Sequence, residues 1–143
     1  ICSIETNQMI GYMCLTDIHY INSSANFSGI IIGDSDFRDG QAYIESYLYM
    51  LEYSFERLNL NRLYGSSLSC HKTSTLMAEV MFQKTEAVLR QAIFKNGQYY
   101  DECVCAILRN EYFEHKAKGE YEMNSILKRL LAARRKDKIQ CAK

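Results

Sequence analysis

Proline is absent from all 143 residues, where an average chain carries ~5%. Hydrophobic residues at 48% and charged residues at 24% are the proportions of a globular protein, which excludes collagen, disorder and coiled coil. Net charge is lacking too. The chain has 17 Lys+Arg and 17 Asp+Glu, so no overall field draws it toward nucleic acid or an anionic membrane. The longest apolar runs, such as Gly29–Gly33, fall far short of the ~20 residues of a membrane-spanning helix. No basic segment precedes an apolar stretch at the start, so no signal peptide is read, and there is no initiator Met. Ile1 leads directly into the strand-like Ile1–Glu5. The expectation is a fragment, or a chain trimmed of an N-terminal segment. P-loop, GxSxG and HExxH motifs are also missing.

Six cysteines are present, but a chain of this length is one domain that buries a core without disulfides. Cys103 and Cys105 alternate in an apolar strand pattern, as small hydrophobes do. Reduced thiols and a cytoplasmic location are therefore expected. The two cysteines lack a second Cys or His pair at ligand spacing, so no metal site is expected.

Hydrophobic periodicity outlines the elements. Ile1–Glu5 and Ile10–Thr16 flank Thr6-Asn7-Gln8 as a hairpin. Phe27–Ile32 is the next strand, and its run Gly29-Ile30-Ile31-Ile32 reads as buried on both faces. Over Tyr43–Leu58 the period becomes helical, with Ile44, Tyr47, Leu48, Leu51, Phe55 and Leu58 on one stripe. Arg62–Leu68 is a strand and Thr73–Phe82 a short helix. Asn96-Gly97 tolerates positive φ at both central positions of a tight turn, so Glu86–Phe94 and Tyr99–Leu108 form a hairpin. A helix follows from Arg109. The whole is a mixed α/β layer. Residues 116–143 hold nine Lys/Arg and three acids, a net of +6, which leaves −6 on the remainder. Met123, Ile126, Leu127, Leu130 and Leu131 make this tail a basic amphipathic helix. Packing on its own domain, a homodimer through this helix, and contact with RNA or a membrane surface are its alternative uses; nucleic acid and membrane are the less favoured.

Chemistry is best sought where the buried strand ends in a polar turn that opens a helix, at Gly33-Asp34-Ser35-Asp36-Phe37-Arg38-Asp39-Gly40-Gln41-Ala42-Tyr43. Unpaired amide groups and the dipole favour an anion there. Arg38 and the amides of Asp39, Gly40, Gln41, Ala42 and Tyr43 would hold a pyrophosphate.

At this point a family resemblance emerges. Glu5-Thr6-Asn7-x-x-Ile10-Gly11-Tyr12, Ile30-Ile31-Ile32-Gly33-Asp34, Phe37-Arg38, Leu58-Asn59-Leu60-Asn61-Arg62-Leu63-Tyr64 and Val88-Leu89-Arg90-x-Ala92-x-Phe94-Lys95-Asn96-Gly97-x-Tyr99-x-Asp101 stand in the order of a GNAT-type N-acetyltransferase. Ile107-Leu108-Arg109-x-Glu111-Tyr112 closes the series. The ensemble resembles the branch of ribosomal-protein and amino-sugar acetyltransferases and covers residues 1–112. It implies a GNAT-like mixed, splayed sheet flanked by helices, truncated at its N-terminus, with residues 113–143 as the helical tail. It also implies acetyl-CoA as co-substrate, its pantetheine arm on Ile30, Ile31 and Ile32 and its pyrophosphate on the turn. The implied function is transfer of an acetyl group to a primary amine of a protein N-terminus, an amino sugar or a small amine. The alternative is an inactive acyl-CoA-binding or protein-interaction domain with the same fold.

The pattern departs from the family in three places. Asp39, Gln41 and Tyr43 stand at the glycines of the phosphate turn, and the Asp39 carboxylate would repel phosphate. Asn26 stands where relatives often carry a Glu base. Met77 stands where many have a thiolate-protonating Tyr, and Cys70 or His71 falls at a cofactor-contacting Asn. Asp17 and His19, just beyond the second strand, are the catalytic candidates, since the acceptor amine should approach there. Tyr99 and Asp101 on the last hairpin are candidates to border the acceptor pocket, with structural packing the favoured reading for Tyr99.

Overall fold

The computed structural model describes the backbone of residues 1–140 and the side chains of residues 1–133. Residues 141–143 lie outside it. So do the side chains of Arg134, Arg135, Lys136 and Lys138, which carry much of the tail's positive charge. Two compact units divide the chain, Ile1–Gly65 and Ser66 onward.

In the first unit, β1 (Gly11–His19) and β2 (Ser24–Ile32) form an antiparallel hairpin. β2 then pairs in parallel with the start of β3 (Arg62–Leu68). In the second unit the end of β3 is followed by β5 (Gln98–Leu108) and β4 (Lys84–Lys95), which pair antiparallel. The strand order is thus β1-β2-β3-β5-β4, a mixed sheet. Helices are α1 (Gln41–Glu52), α2 (Lys72–Val80), α3 (Arg109–Ala117) and α4 (Met123–Gln140). Among the described residues no helix is long and apolar enough to cross a membrane.

The parallel pairing is short. Ser24, Ala25 and Asn26 meet Arg62, Leu63 and Tyr64, and no β2–β3 pair follows. This is the expected splay. On its other side β2 stays paired with β1 as far as Ile32. Gly33 donates its amide to Ile10 O at 2.8 Å. Antiparallel pairs alternate, so the main-chain groups of Ile31 face β1 while those of Ile30 and Ile32 face the open side.

Several expectations change in extent. Ile1–Glu5 forms no strand; a single bridge, Cys2 to Met9, and a turn at Asn7 (φ 55°) are what remain of the first hairpin. Ile31 is 50% exposed, so β2 is not buried on both faces as its apolar run suggested. Strand pleating alternates the side chains, which turns Ile31 to the opposite face from Ile30 and Ile32, both half-buried. The helical stripe on α1 holds for Ile44, Tyr47, Leu51 and Phe55, all buried, and fails at Leu58. There α1 runs into a π-helical turn over Tyr53–Arg57, with Leu58 N–H bonded to Tyr53 O. One extra residue per turn rotates Leu58 outward and Ser54 inward, and Leu60 fills the core instead.

Phe27 on β2 meets the Tyr47 ring edge-on at 4.9 Å, and Tyr47 neighbours Tyr43 at 6.2 Å. This aromatic row seats the first turns of α1 on the hairpin.

In the second unit Asn96 and Gly97 take φ of 52° and 78°, the geometry their sequence predicts. Met77, Val80, Met81, Cys105, Ile107, Tyr112 and Ile126 are buried, so Met77 is core. α4 packs on α2. Its apolar stripe divides: Ile126 is fully buried, while Leu127 and Leu131 are largely exposed. Arg129 anchors the helix by donating to Val80 O at 3.1 Å and Glu120 O at 2.6 Å. Its guanidinium also covers one ring, Phe82, at 4.3 Å. His115 stacks on the same ring at 3.6 Å and pairs with Glu120 at 2.6 Å.

Candidate active site

Two groups of polar residues stand out in the first unit, one at each end of the open edge of β2. At the end near the splay, Asp17 sits in an irregular stretch of β1, where the register shifts between Thr16 and His19. Its φ is 48°, a left-handed conformation that Asp tolerates better than most residues. The kink aims the carboxylate across the hairpin. Asn26 donates its side-chain amide to Asp17 Oδ2 at 3.4 Å, and Thr16 Oγ1 also lies 3.4 Å from that oxygen. Thr16 and Ser28 hydroxyls share a 2.5 Å hydrogen bond beside them. Asn26 is therefore paired with a carboxylate from the neighbouring strand. His19 closes the β1–β2 ladder opposite Ser24; its side chain is exposed.

At the other end lies the polar turn. Asp34 caps a short 3-10 turn (Ser35–Phe37), accepting the Asp36 amide at 3.0 Å. Arg38 folds back on the strand. Its Nε donates to Ile32 O at 3.2 Å and its Nη2 to Gly33 O at 2.8 Å. Gly40 takes φ 100° as the N-cap of α1, a conformation open to glycine. The free amide at Gln41 is met by Asp39 Oδ1 at 2.9 Å. Gln41 in turn donates its side chain to Glu45 at 2.9 Å. Ala42 and Tyr43 are half-buried behind it, and burial pushes the Tyr43 hydroxyl above its ordinary pKa. A cavity of about 820 Å³ beside the turn is lined by Glu5, Asp36, Asp39 and Glu45 together with apolar groups such as Met13 and Tyr49. No Lys, Arg or His side chain lines it.

The structure thus brings Asp17 and Asn26 together, and Arg38, Asp39, Gly40, Gln41, Ala42 and Tyr43 around the helix start after Ile32. Cys70 and His71 belong to the second unit. Cys70 is exposed, and His71 is the N-cap of α2, its Nδ1 paired with Ser74 Oγ at 2.6 Å. Asp101 accepts the Gln91 amide at 2.8 Å where β4 bulges. Among the described residues no group of three or more His, Cys, Asp or Glu side chains is placed to hold a metal. Sequence reasoning missed the Asp17–Asn26 pair as a pair. Its signal was available only as two polar residues nine apart around the turn of a hairpin.

The open edge of β2 suits an extended amide-bearing arm such as pantetheine, because Ile30 offers both main-chain groups and Ile32 its amide. The turn suits a diphosphate poorly. The oxygen that meets the Gln41 amide is the protein's own, and further carboxylates surround it.

No protein-family model and no curated protein sequence matches the chain. Solved structures do. Spermidine/spermine N-acetyltransferase SpeG from Vibrio cholerae, in a mutant form, superposes with a TM-score of 0.73 at 27% identity, covering 80% of this chain and 67% of that one. The dodecameric spermidine N-acetyltransferase of Vibrio cholerae in an intermediate state gives 0.70 at 28%, over 76% and 63%. A probable acetyltransferase gives 0.66 at 22%, over 73% and 58%, a likeness of fold. The chain spans about two thirds of the length of the spermidine N-acetyltransferases it matches. Its fold is the GNAT-type fold of an N-acetyltransferase.

Proposed function

We propose that the chain transfers an acetyl group from a pantetheine thioester, acetyl-CoA, to a primary amine, and that the amine is a small one. The observation that carries this is the open edge of β2 ending at the Asp17–Asn26 pair. The thioester supplies an activated acyl group. The chain's own residues hold the arm on the Ile30 and Ile32 main chain and present a carboxylate where the hairpin ends. The amine nitrogen bonds to the thioester carbon as the C–S bond breaks. The Asp17 carboxylate, oriented by Asn26, accepts the proton the amine loses, directly or through one water. The thiolate leaves and takes a proton from solvent. The choice of a small amine over a protein N-terminus or an amino sugar is supported by the spermidine acetyltransferases among the similar structures.

The test is thiol release from acetyl-CoA with spermidine, glucosamine and an N-terminal peptide as acceptors. Release with spermidine alone supports the proposal. Release with the peptide or the sugar alone supports acetyl transfer and overturns the acceptor. Binding of acetyl-CoA without release by any amine favours the binding domain over the enzyme.

A further inference from the structure

We infer that the turn after β2 does not grip the diphosphate of the donor, and that the donor is recognised through its pantetheine arm alone. This rests on the proposed thioester chemistry and adds the class of donor the site accepts.

A helix start binds diphosphate when its amides are free and positive charge is near. Here the first amide of the helix and the cation of the turn are both already engaged within the chain. The Gln41 amide is satisfied by Asp39 Oδ1 at 2.9 Å, so the carboxylate of this chain occupies the place of a ligand oxygen. Arg38, the cation of the turn, is committed through two nitrogens to the carbonyls of Ile32 and Gly33. The cavity alongside presents Glu5, Asp36, Asp39 and Glu45. A diphosphate brought here would displace an internal cap and meet like charge, a juxtaposition that weakens association. The pantetheine arm is uncharged and meets none of this. It needs only main-chain partners, which Ile30 and Ile32 turn to the open side of β2. Arg38 takes the Ile32 carbonyl, so the arm is left with the Ile32 amide and both groups of Ile30.

Calorimetric titration with acetyl-pantetheine and acetyl-CoA decides the matter. The expected result is that the wild-type chain binds acetyl-CoA about tenfold more weakly than acetyl-pantetheine. Asp39→Asn keeps an oxygen to cap Gln41 while removing the charge; it should tighten acetyl-CoA by about tenfold and leave acetyl-pantetheine unchanged. Asp39→Gly, which removes cap and charge together, should act in the same direction. Wild-type binding of acetyl-CoA more than about tenfold tighter than acetyl-pantetheine overturns the inference while leaving acetyl transfer in place. So does an Asp39→Asn variant that fails to tighten acetyl-CoA. Failure of both donors to bind overturns the thioester reading itself, and this inference with it.

Discussion

Asn26 and Asp17 face each other across the β1–β2 hairpin, amide nitrogen to carboxylate oxygen at 3.4 Å. The pair depends on two irregularities in neighbouring strands. The β1 register shifts between Thr16 and His19, and the β2 register shifts opposite Cys14–Leu15, with Gly29 at φ 120°. Each shift re-aims side chains that a regular ladder would send elsewhere. The Asp17 carboxylate is therefore brought to the Asn26 amide.

Replacing Asp17 by Asn tests that role. With an amide in place of the proposed base, turnover should fall by ~10²–10⁴-fold, the usual contribution of a positioned acid–base group. Affinity for the acetyl donor should be unchanged. Steady-state rates and calorimetry on the same protein separate the two. An unaltered rate would remove Asp17 from the chemistry.

Gly11 provides a test of the hairpin itself. A Cβ at this position would lie 2.1 Å from the Ile31 carbonyl oxygen. The obstacle is backbone, so neither strand yields without breaking the ladder. Gly11→Ala should lower stability by at least ~2 kcal/mol, read from the midpoint of chemical unfolding. An unchanged midpoint would show that the approach is looser than 2.1 Å.

How much of this was legible in the sequence follows from the range of the forces involved. The turn at Asn96-Gly97 was readable because φ preference is a property of the residues at the turn itself. The GNAT-like layer was readable because its motifs keep their order. The π-helical turn at Tyr53–Arg57 was not, since no residue type specifies one extra residue in a helical turn. Exposure of Ile31 was hidden for a different reason: three consecutive isoleucines carry no alternation to reveal which face is covered. At the site, Asp39 was legible as a charge in the wrong place. Its hydrogen bond to Gln41 and the return of Arg38 to the strand are tertiary choices among several donors and acceptors within reach.

Acid should loosen the junction of β4 and α3. Glu111 accepts hydrogen bonds from Lys84 and from the Leu108 amide, the latter at 3.0 Å. Burial is the largest single influence and raises the Glu111 pKa, but the two hydrogen bonds with the charges of Lys84 and His115 outweigh it, and the net shift is downward. A folded-state pKa below the unfolded value means the contribution is complete above ~4.3, the ordinary glutamate value, and is lost as pH falls through the lowered one. Lys84 is 71% exposed and Glu111 17%, so water screens the pair from the lysine side and the effect is small. Unfolding midpoints of wild type and Glu111→Gln should differ at pH 7 and converge below pH ~4. Equal separation at both values would show that the carboxylate charge is not what matters.

The two faces of α4 should respond oppositely to substitution. Ile126 is fully buried, and Ile126→Ala deletes methyl groups from a packed interior, at a cost of about 2–5 kcal/mol. Leu127 and Leu131 lie on the other side, 44% and 58% exposed. Their replacement by Gln should cost less than ~0.5 kcal/mol in the monomer, because little packing is lost. If this outer pair is where a second copy docks, the Leu127→Gln/Leu131→Gln variant should halve the mass measured in solution while its unfolding midpoint at high dilution stays put. Burial of apolar area supplies the driving force at ~25 cal/mol per Å². Association through the pair should therefore survive high salt, whereas contact made by the basic residues of the tail should weaken with it. Light scattering of both proteins at low and high ionic strength reads out each case. Equal mass for wild type and variant would assign α4 to its own domain alone.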